Sequence, residues 1–392
     1  MRIDILRKLF FVMHELLRRL ASFSDYLLWL LFDPGKFTRI KIKEINKILI
    51  VLINQGKGNV GGDFITLGVI NYFKKSYPHV KVSFLSDKNT IKQFGEISNI
   101  EFIEDKGKES IKELKRKKFD AGIFLGLGRF SIFEFKFIPY KVGFTLLSLP
   151  NFFNFKNRFG YSKKVYLNMN NHLVDFMFKM FEVLGFKFKE KKLIFISSKE
   201  DEKIVNKFLN KNNIKNFIVI HPGGKYIAES YKQGKWPPHL WNLERYAQVA
   251  DYLVGKGYGI VITGSKEEEI LAKEIINQSK NKKQIINACG KLSLREAGVL
   301  LKKAKLLIAT DTSIVHIAYQ VEVPIIELMG PSIPKVVGAW PLNSPKHKIL
   351  IDKGLGCRSM RKLPFRDNYN CLKNIKVEEV INEASNLLNI RE

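Results

Sequence analysis

The sequence contains few cysteines and no long hydrophobic stretch. Its 392 residues include three cysteines, Cys289, Cys357 and Cys371, which are too few for a disulfide framework or a convincing zinc site. No apolar stretch reaches the roughly 20 residues that a membrane-spanning helix requires. We therefore expect neither a disulfide-stabilised secreted domain nor a membrane span, and a reducing, cytoplasmic compartment fits best.

Acidic residues are scarce relative to basic ones. The chain has 66 Lys and Arg against 38 Asp and Glu, which gives a formal net charge of +28. Such a surface attracts nucleic acid, anionic lipid or phosphorylated small molecules. Because the lysines are spread along the whole chain without a basic tail, the pattern argues against a nucleic-acid partner. A hydrophobic content of 45% excludes a chain that is mainly disordered.

Residues 1–45 are predicted to form an amphipathic helical extension. Apolar residues follow helical spacing between positions 5 and 20, with Arg and Lys side chains between them, and a strongly apolar patch follows at residues 26–32. Basic amphipathic helices of this composition lie in a membrane interface. The same pattern is compatible with a helical hairpin packed on the main domain, so the sequence leaves both interpretations open.

Two successive sets of alternating strands and helices follow this extension. Continuous apolar runs at residues 48–53, 217–220 and 306–309 are typical of strands buried in a parallel sheet. They predict an α/β fold in which two Rossmann-like, doubly wound domains face each other across a cleft. The predicted boundaries are residues 46–192 for the first domain, 193–375 for the second and 376–392 for a closing helix.

A glycine-rich loop follows the first predicted strand. Gly56, Gly58 and Gly61 have the spacing of a dinucleotide-binding fingerprint, and Asp87 ends the next predicted strand, where a ribose-binding acid would lie. An NAD-type oxidoreductase is therefore an alternative function, although this fingerprint leaves the second half of the chain unexplained. The loop lacks the Lys and Ser/Thr pair of a Walker A sequence.

Asp63 stands at the start of a helix predicted for residues 64–75. Aspartate is a good N-cap, which is one role for this side chain. The carboxylate would also lie where the carboxyl ends of parallel strands converge, a position that suits a general base. A second helix start is predicted at Ser293, where Glu296 completes a capping box.

Two clusters in the second half of the chain suit an anionic ligand. The segment from Asp311 to His316 follows a predicted strand and opens a helix, whose first N–H groups favour phosphate. A capped helix with a buried histidine is the alternative for this segment. Gly223 and Gly224 permit close approach of a ligand to the backbone, and Lys235 would add positive charge.

The order of the motifs resembles glycosyltransferase family 9, the heptosyltransferases of lipopolysaccharide core synthesis. The resemblance covers about residues 46–390 and is strongest in the second half. The motifs that carry it are Gly62-Asp63, His221-Pro222-Gly223-Gly224, Lys235-Trp236-Pro237, Gly264-Ser265-Lys266-Glu267-Glu268, Gly290-Lys291-Leu292-Ser293-Leu294, Asp311-Thr312-Ser313-Ile314-Val315-His316, Gly330-Pro331-Ser332 and Cys371-Leu372-Lys373-Asn374-Ile375.

The resemblance implies a GT-B fold and an enzyme that inverts the anomeric centre without a metal or other cofactor. It implies that Asp63 is the general base, that Lys235 lies near the donor diphosphate and that Glu268 holds the donor ribose. The first domain would then bind the acceptor and the second the nucleotide-sugar donor. The implied donor-binding residues are Gly223, Gly224, Lys235, Glu268, Leu292, Asp311, Thr312, Ser313 and His316, and the implied acceptor loop contains Gly61 and Gly62.

Two positions depart from the pattern of this family. Ser313 stands where the family often has glycine, so its hydroxyl would donate to the ligand in place of the closest backbone approach. Some members place the lysine differently relative to the tryptophan, which makes Lys232 a rival to Lys235.

The resemblance also implies the reaction and its partners. We expect transfer of a heptose from ADP-heptose to a lipopolysaccharide core or related glycolipid, by an enzyme peripheral on the inner face of the cytoplasmic membrane. The alternatives are the NAD-type oxidoreductase that uses the Gly56–Gly61 loop, a sugar-nucleotide epimerase, and a non-enzymatic basic protein that binds membrane or nucleic acid.

Overall fold

The computed structural model describes residues 45–53, 60–95, 100–127, 130–146, 161–167, 170–352 and 371–390. These residues fall into two compact units. Unit 1 comprises Met1–Gly58 and Phe73–Lys191, and unit 2 comprises Asn59–Tyr72 and Lys192–Glu392. Nearly all of the predicted N-terminal extension lies outside the described residues, as do Gly56, Gly58 and Cys357.

Unit 1 contains a six-stranded parallel sheet. Its strands are β1 (Lys47–Leu52), β2 (Lys81–Ser86), β3 (Glu101–Glu104), β4 (Ala121–Gly126), β5 (Tyr140–Leu146) and β6 (Lys163–Leu167). The strand order is β3-β2-β1-β4-β5-β6, the order of the doubly wound dinucleotide-binding fold. The central strand β1 is apolar and buried after its first residue, as expected for a parallel strand covered on both faces.

The described residues between β1 and the end of this part of the chain form five helical segments. They are α1 (Val60–Ser76), α2 (Lys88–Phe94), α3 (Lys108–Lys117), a short 3₁₀ segment (Ile132–Phe135) and α4 (Leu173–Val183). Helix α1 is divided between the two units, because its residues up to Tyr72 are grouped with unit 2.

Unit 2 repeats the same strand order. Its strands are β7 (Phe217–His221), β8 (Gly259–Ile262), β9 (Ile285–Asn287), β10 (Leu307–Thr310), β11 (Ile325–Met329) and β12 (His347–Ile351). They are all parallel and lie in the order β12-β11-β10-β7-β8-β9. Counted from β7, this is again the 3-2-1-4-5-6 order of the doubly wound fold.

The helices of unit 2 complete a separate hydrophobic core. They are α5 (Lys199–Lys211), α6 (Lys225–Lys232), α7 (Leu243–Gly255), α8 (Glu269–Gln278), α9 (Leu294–Lys303), α10 (Ser313–Ala318), α11 (Pro334–Val337) and α12 (Val377–Leu388). Trp241 anchors the C-terminal segment, because its buried indole N–H donates to Ile375 O at 3.0 Å. Helix α12, which corresponds to the predicted closing helix, packs on α7.

The structure confirms several local predictions and corrects others. The capping box of Ser293 and Glu296 is present at the start of α9. The prediction that a helix begins at residue 64 is wrong, because α1 begins at Val60. Asp63 therefore lies inside the first turn, and the N-cap role considered for it is also wrong. Cys371 is disulfide-bonded, which the low cysteine count did not lead us to expect.

Four strands of the structure were not predicted from the sequence, namely β3, β5, β6 and β12. Strands β3, β6 and β12 are edge strands, and β3 places charged residues at both of its ends. Edge strands are buried less completely than central ones, so they lack the continuous apolar run that revealed β1 and β7. Within the described ranges, no helix is long and apolar enough to cross a bilayer.

Candidate functional site

The candidate site of unit 2 lies where its strand order reverses. Strands β7 and β10 are hydrogen-bonded neighbours, and the chain leaves their carboxyl ends toward β8 on one side and β11 on the other. Ligands of doubly wound sheets bind in the crevice at such a switch point. The loops that follow the two strands are linked, because Thr310 Oγ1 donates to Pro222 O at 3.3 Å.

Two glycines after β7 have different roles. A Cβ on Gly223 would lie 2.8 Å from Ile227 Cγ2, so the glycine is required by packing against its own helix α6. At Gly224 the nearest atom to such a Cβ would be Thr312 Cγ2, at 4.0 Å. A Cβ at Gly224 would therefore only touch the segment that follows β10, so packing within unit 2 does not require this glycine.

The segment after β10, which lies close to Gly224, carries several polar groups. Strand β10 ends at Thr310 and α10 begins at Ser313, while Asp311, Thr312 and Ser313 are half-buried. Thr312 occupies the N-cap position without capping the helix through its side chain. Its hydroxyl donates instead to Thr310 O at 3.3 Å. The segment therefore combines main-chain N–H groups of a helix start with two hydroxyls and one carboxylate.

Glu268 and His221 meet at the edge of the same crevice. His221 is the last residue of β7, and Glu268 precedes α8, which follows β8. The His221 Nε2 atom lies 3.8 Å from Glu268 Oε2, and Nδ1 lies 3.1 Å from Thr263 Oγ1. The Ser265 N–H donates to Glu268 Oε2 at 3.0 Å. His221 was quoted in the sequence motif but was not among the predicted site residues.

Burial governs the charge of both side chains. Removal from water lowers the pKa of His221 to about 4, although hydrogen bonds with the main chain at Thr263 and Gly223 act in the opposite direction. Burial also raises the pKa of Glu268, against the opposing bonds from Ser265. The imidazole is therefore neutral at pH 7, so this close contact is not an ion pair.

The first turn of α1 packs against the start of α10 within unit 2. A Cβ on Gly61 would lie 2.8 Å from His316 Cδ2 and 3.4 Å from Ser313 Cα. One side-chain amide ties the two helices together, because Gln320 Nε2 donates to Phe64 O at 3.2 Å and to His316 O at 2.8 Å. The structure thus brings the predicted acceptor loop to two of the predicted donor-binding residues.

Asp63 belongs to the same turn as Gly61. Its side chain is 5% exposed, and it is the acidic residue in the first turn of α1. A carboxylate in the first helical turn is stabilised by the helix dipole. The fold therefore places a buried carboxylate within one turn of the contact between Gly61 and His316.

The remaining predicted residues lie at the end of α6 and in loops of unit 2. Lys232 ends α6 and Lys235 follows it, and both lysines are exposed. Leu292 is half-buried in the turn between β9 and α9.

His239 is a residue that the sequence analysis missed. Burial lowers the pKa of its imidazole, and the charge of Asp311 acts in the opposite direction. The sequence signal that could have revealed it is its position three residues after Trp236, in the stretch that links α6 to α7. A histidine near Asp311 adds a titratable group beside the segment that begins α10.

The acid assigned to the oxidoreductase alternative has another role. Asp87 is the N-cap of α2, and its side chain accepts hydrogen bonds from the N–H groups of Asn89 and Thr90, at 3.0 and 3.2 Å. Capping of this kind satisfies helix-start donors. This carboxylate is therefore engaged locally.

Comparison with known proteins decides the class of enzyme. The model of glycosyltransferase family 9 (heptosyltransferase) matches residues 109–362, well over half of the chain. The chain belongs to glycosyltransferase family 9. Membership of this family favours a glycosyltransferase over the oxidoreductase, epimerase and non-enzymatic alternatives.

Known heptosyltransferases are similar over different lengths. Lipooligosaccharide heptosyltransferase 2 of Haemophilus ducreyi is 30% identical over 158 residues, which are 39% of this chain and 44% of that protein. The matched stretch thus spans less than half the length of that relative. Lipopolysaccharide heptosyltransferase 3 of Escherichia coli K12 is 24% identical over 356 residues, 84% of this chain and 95% of that protein.

A solved structure has the same fold. The E. coli ADP-heptose lipopolysaccharide heptosyltransferase II superimposes with a TM-score of 0.64 at 17% identity, covering 88% of this chain and 98% of that one. This likeness confirms the predicted two-domain α/β fold of the GT-B class.

Proposed function

We propose that this family 9 enzyme transfers a heptose from ADP-heptose to a lipopolysaccharide core or related glycolipid, with inversion of the anomeric centre and without a metal ion. The observation that carries the proposal is the group of polar side chains at the switch point of unit 2, in the segments at the ends of β7, β8 and β10. The names of the relatives, which include lipopolysaccharide and ADP-heptose, support the choice of donor and acceptor.

Unit 2 would bind the nucleoside diphosphate. In this proposal Glu268 accepts hydrogen bonds from ribose hydroxyls, a task that suits a buried carboxylate at the edge of the crevice. The diphosphate would lie at the start of α10, on Thr312, Ser313 and His316, with the main chain of Gly224 beside Thr312. Lys235 or Lys232 would balance the charge that grows on the leaving diphosphate.

Asp63 would activate the acceptor. An acceptor hydroxyl must lose its proton as it attacks the anomeric carbon, and a positioned carboxylate can take that proton. The contact of Gly61 with His316 and Ser313 supports this role, because it brings the turn that carries Asp63 to the proposed diphosphate site. The hydroxyl oxygen then forms the new glycosidic bond while the nucleoside diphosphate departs with the electrons of the broken bond.

The enzyme would act at the inner face of the cytoplasmic membrane. Its proposed acceptor is anchored in lipid, and the strongly basic chain suits an anionic surface. Deletion of residues 1–43 is expected to weaken co-sedimentation with anionic vesicles while turnover of a short water-soluble acceptor is retained. Unchanged vesicle binding together with a much lower melting temperature would instead show that these residues pack on the fold.

A donor screen tests the reaction itself. Purified enzyme is incubated with cell-envelope glycolipid and with ADP-, UDP-, GDP- or CDP-sugars, and release of free nucleoside diphosphate is measured. We expect release from ADP-heptose that requires the glycolipid, and a product of inverted anomeric configuration by NMR. Release from another donor alone would overturn the choice of ADP-heptose, and a product of retained configuration would exclude Asp63 as general base of a single displacement.

A further inference from the structure

His221 connects three segments at the edge of the crevice in unit 2. Its Nδ1 atom contacts the Thr263 hydroxyl beyond the end of β8 at 3.1 Å, and its Nε2 atom faces Glu268 Oε2 at 3.8 Å. The exposed fractions are 7% for His221, 4% for Thr263 and 6% for Glu268. The imidazole is thus an interior side chain between the Thr263 hydroxyl and the carboxylate of the residue that precedes α8.

The two carboxylate oxygens of Glu268 differ in their contacts. The Ser265 N–H donates to Oε2 at 3.0 Å, and His221 Nε2 lies 3.8 Å from the same oxygen. Neither of these two contacts is made to Oε1. A carboxylate fixed through one oxygen presents the other in a defined direction. Such fixing matters because a ligand contact formed by a pre-positioned group loses less conformational freedom on binding.

Packing keeps this arrangement compact. A Cβ on Gly264 would lie 2.7 Å from Glu268 Oε2 and 3.0 Å from Cys289 Sγ, so the glycine between β8 and Ser265 leaves room for the carboxylate. A main-chain hydrogen bond joins the loops after β8 and β9 at this place, because the Gly290 N–H donates to Gly264 O at 2.9 Å. The Glu268 side chain therefore has little freedom to turn away from His221.

We propose that His221 is a positioning residue that fixes the Glu268 carboxylate for recognition of the ribose of a nucleoside diphosphate. This inference rests on the proposed function, since it needs the nucleotide to bind in unit 2. His221 acts through Glu268 and does not contact the reacting atoms. Its removal would therefore raise the donor KM and leave kcat almost unchanged.

Two substitutions separate the two side-chain contacts of the imidazole, with Thr263 and with Glu268. His221→Gln retains a polar atom at the position of Nε2, toward Glu268, whereas His221→Asn retains one at the position of Nδ1, toward Thr263. The probes are ADP and 2′,3′-dideoxy-ADP, which lacks the ribose hydroxyls, and binding is measured by titration calorimetry. His347→Gln is the matched control, because His347 is a buried histidine on the edge strand β12.

The expected pattern depends on the ribose hydroxyls. His221→Asn should weaken ADP binding about tenfold, the scale of the freedom that one side chain loses when a ligand immobilises it, whereas His221→Gln should stay within about threefold of the wild type. Neither change should alter binding of dideoxy-ADP. In the double variant with Glu268→Gln, loss of His221 should have no further effect on ADP binding, because the imidazole acts through that carboxylate.

Other outcomes overturn the inference in recognisable ways. Equal weakening of ADP and dideoxy-ADP by both His221 variants would show a purely structural role. Weak ADP binding by Glu268→Gln together with normal binding by His221→Asn would reject this inference while the ribose role of Glu268 stands. Normal ADP binding by Glu268→Gln would reject the ribose role itself.

A further variant serves if the His221 variants fail to fold. Thr263→Val removes the hydroxyl that contacts the imidazole, and it should weaken the binding of ADP but not that of dideoxy-ADP. An affinity for ADP equal to that of the wild type would reject the inference.

Discussion

The two six-stranded sheets have the same strand order but carry different residues at their switch points. In unit 1 the strands β1 and β4 lead into Ile53 and Leu127, which are buried and apolar, and the Ile53 N–H donates to Gly126 O at 3.0 Å. In unit 2 the corresponding strands end in His221 and Thr310, and Asp311 follows. Among the described residues, the crevice of unit 2 is the polar one. The shared order determines where a ligand can bind, and the side chains at the strand ends determine which sheet binds it.

The same contrast applies to the strands beside the switch points. In unit 1 the acid after β2, Asp87, caps its own helix. In unit 2 the acid after β8, Glu268, is buried beside His221 and makes no side-chain cap for α8. Equivalent positions in two equivalent sheets thus carry a structural carboxylate in one unit and a candidate ligand-binding carboxylate in the other.

The largest expected effect separates catalysis from nucleotide binding. Asp63→Asn should lower kcat about 10²–10⁴-fold, the usual contribution of a general base, and should leave ADP affinity nearly unchanged, because the base acts on the acceptor. Kinetics of nucleoside diphosphate release and calorimetry with ADP measure the two quantities. A variant that keeps more than about a tenth of the wild-type kcat would remove Asp63 from this role.

The next effect is a pH dependence of stability in the crevice of unit 2. The pKa of His221 falls from 6.5 to about 4 on folding, so the unfolded chain takes up a proton first as the pH drops. Stability is then lost between pH 6.5 and pH 4, by at most about 3 kcal/mol from this group. Urea unfolding across this range should show a shallower pH dependence for His221→Gln than for the wild type. Identical slopes would contradict a buried neutral imidazole.

The equivalent acids of the two sheets should respond differently to the loss of charge. Glu268→Gln should weaken ADP binding about tenfold, whereas Asp87→Asn should leave ADP affinity unchanged because that side chain caps α2. Calorimetry with ADP measures both variants. Weaker ADP binding by the Asp87 variant would indicate that the nucleotide binds in unit 1, and would contradict the different roles given to the two acids.

A smaller effect concerns the contact between α1 and α10. Gly61→Ala should destabilise the protein by about 1 kcal/mol, since the clash with His316 exceeds the gain in helix propensity. Gly224→Ala is the matched control for stability, because its φ of −106° suits alanine and the nearest atom would lie 4.0 Å away. Thermal unfolding compares the two. Equal melting temperatures would show that the two helices separate easily.

The smallest expected effect is that of chelation. Turnover should survive EDTA, because the proposed mechanism balances the diphosphate charge with Lys235 or Lys232, His316 and main-chain N–H groups. Rates measured before and after dialysis against EDTA provide the test. A loss that Mg²⁺ or Mn²⁺ restores would show that these groups do not suffice.

The sequence by itself determined the parts of the fold that depend on local or strongly periodic signals. Strands β1, β7 and β10 were predicted because central parallel strands are apolar along their length. The capping box at Ser293 was predicted because its two hydrogen bonds join residues three positions apart. The family resemblance was visible for a related reason, since its motifs are short runs of neighbouring residues.

Only the tertiary structure decided which of these motifs meet. His221 and Thr263 are 42 positions apart, and Phe64 and Gln320 are 256 positions apart, so no local pattern links them. The edge strands β3 and β12 exist because a neighbouring strand supplies their hydrogen-bond partners. The charge states of His221 and Glu268 were equally hidden, because the pKa of each group is set by burial among residues distant in sequence.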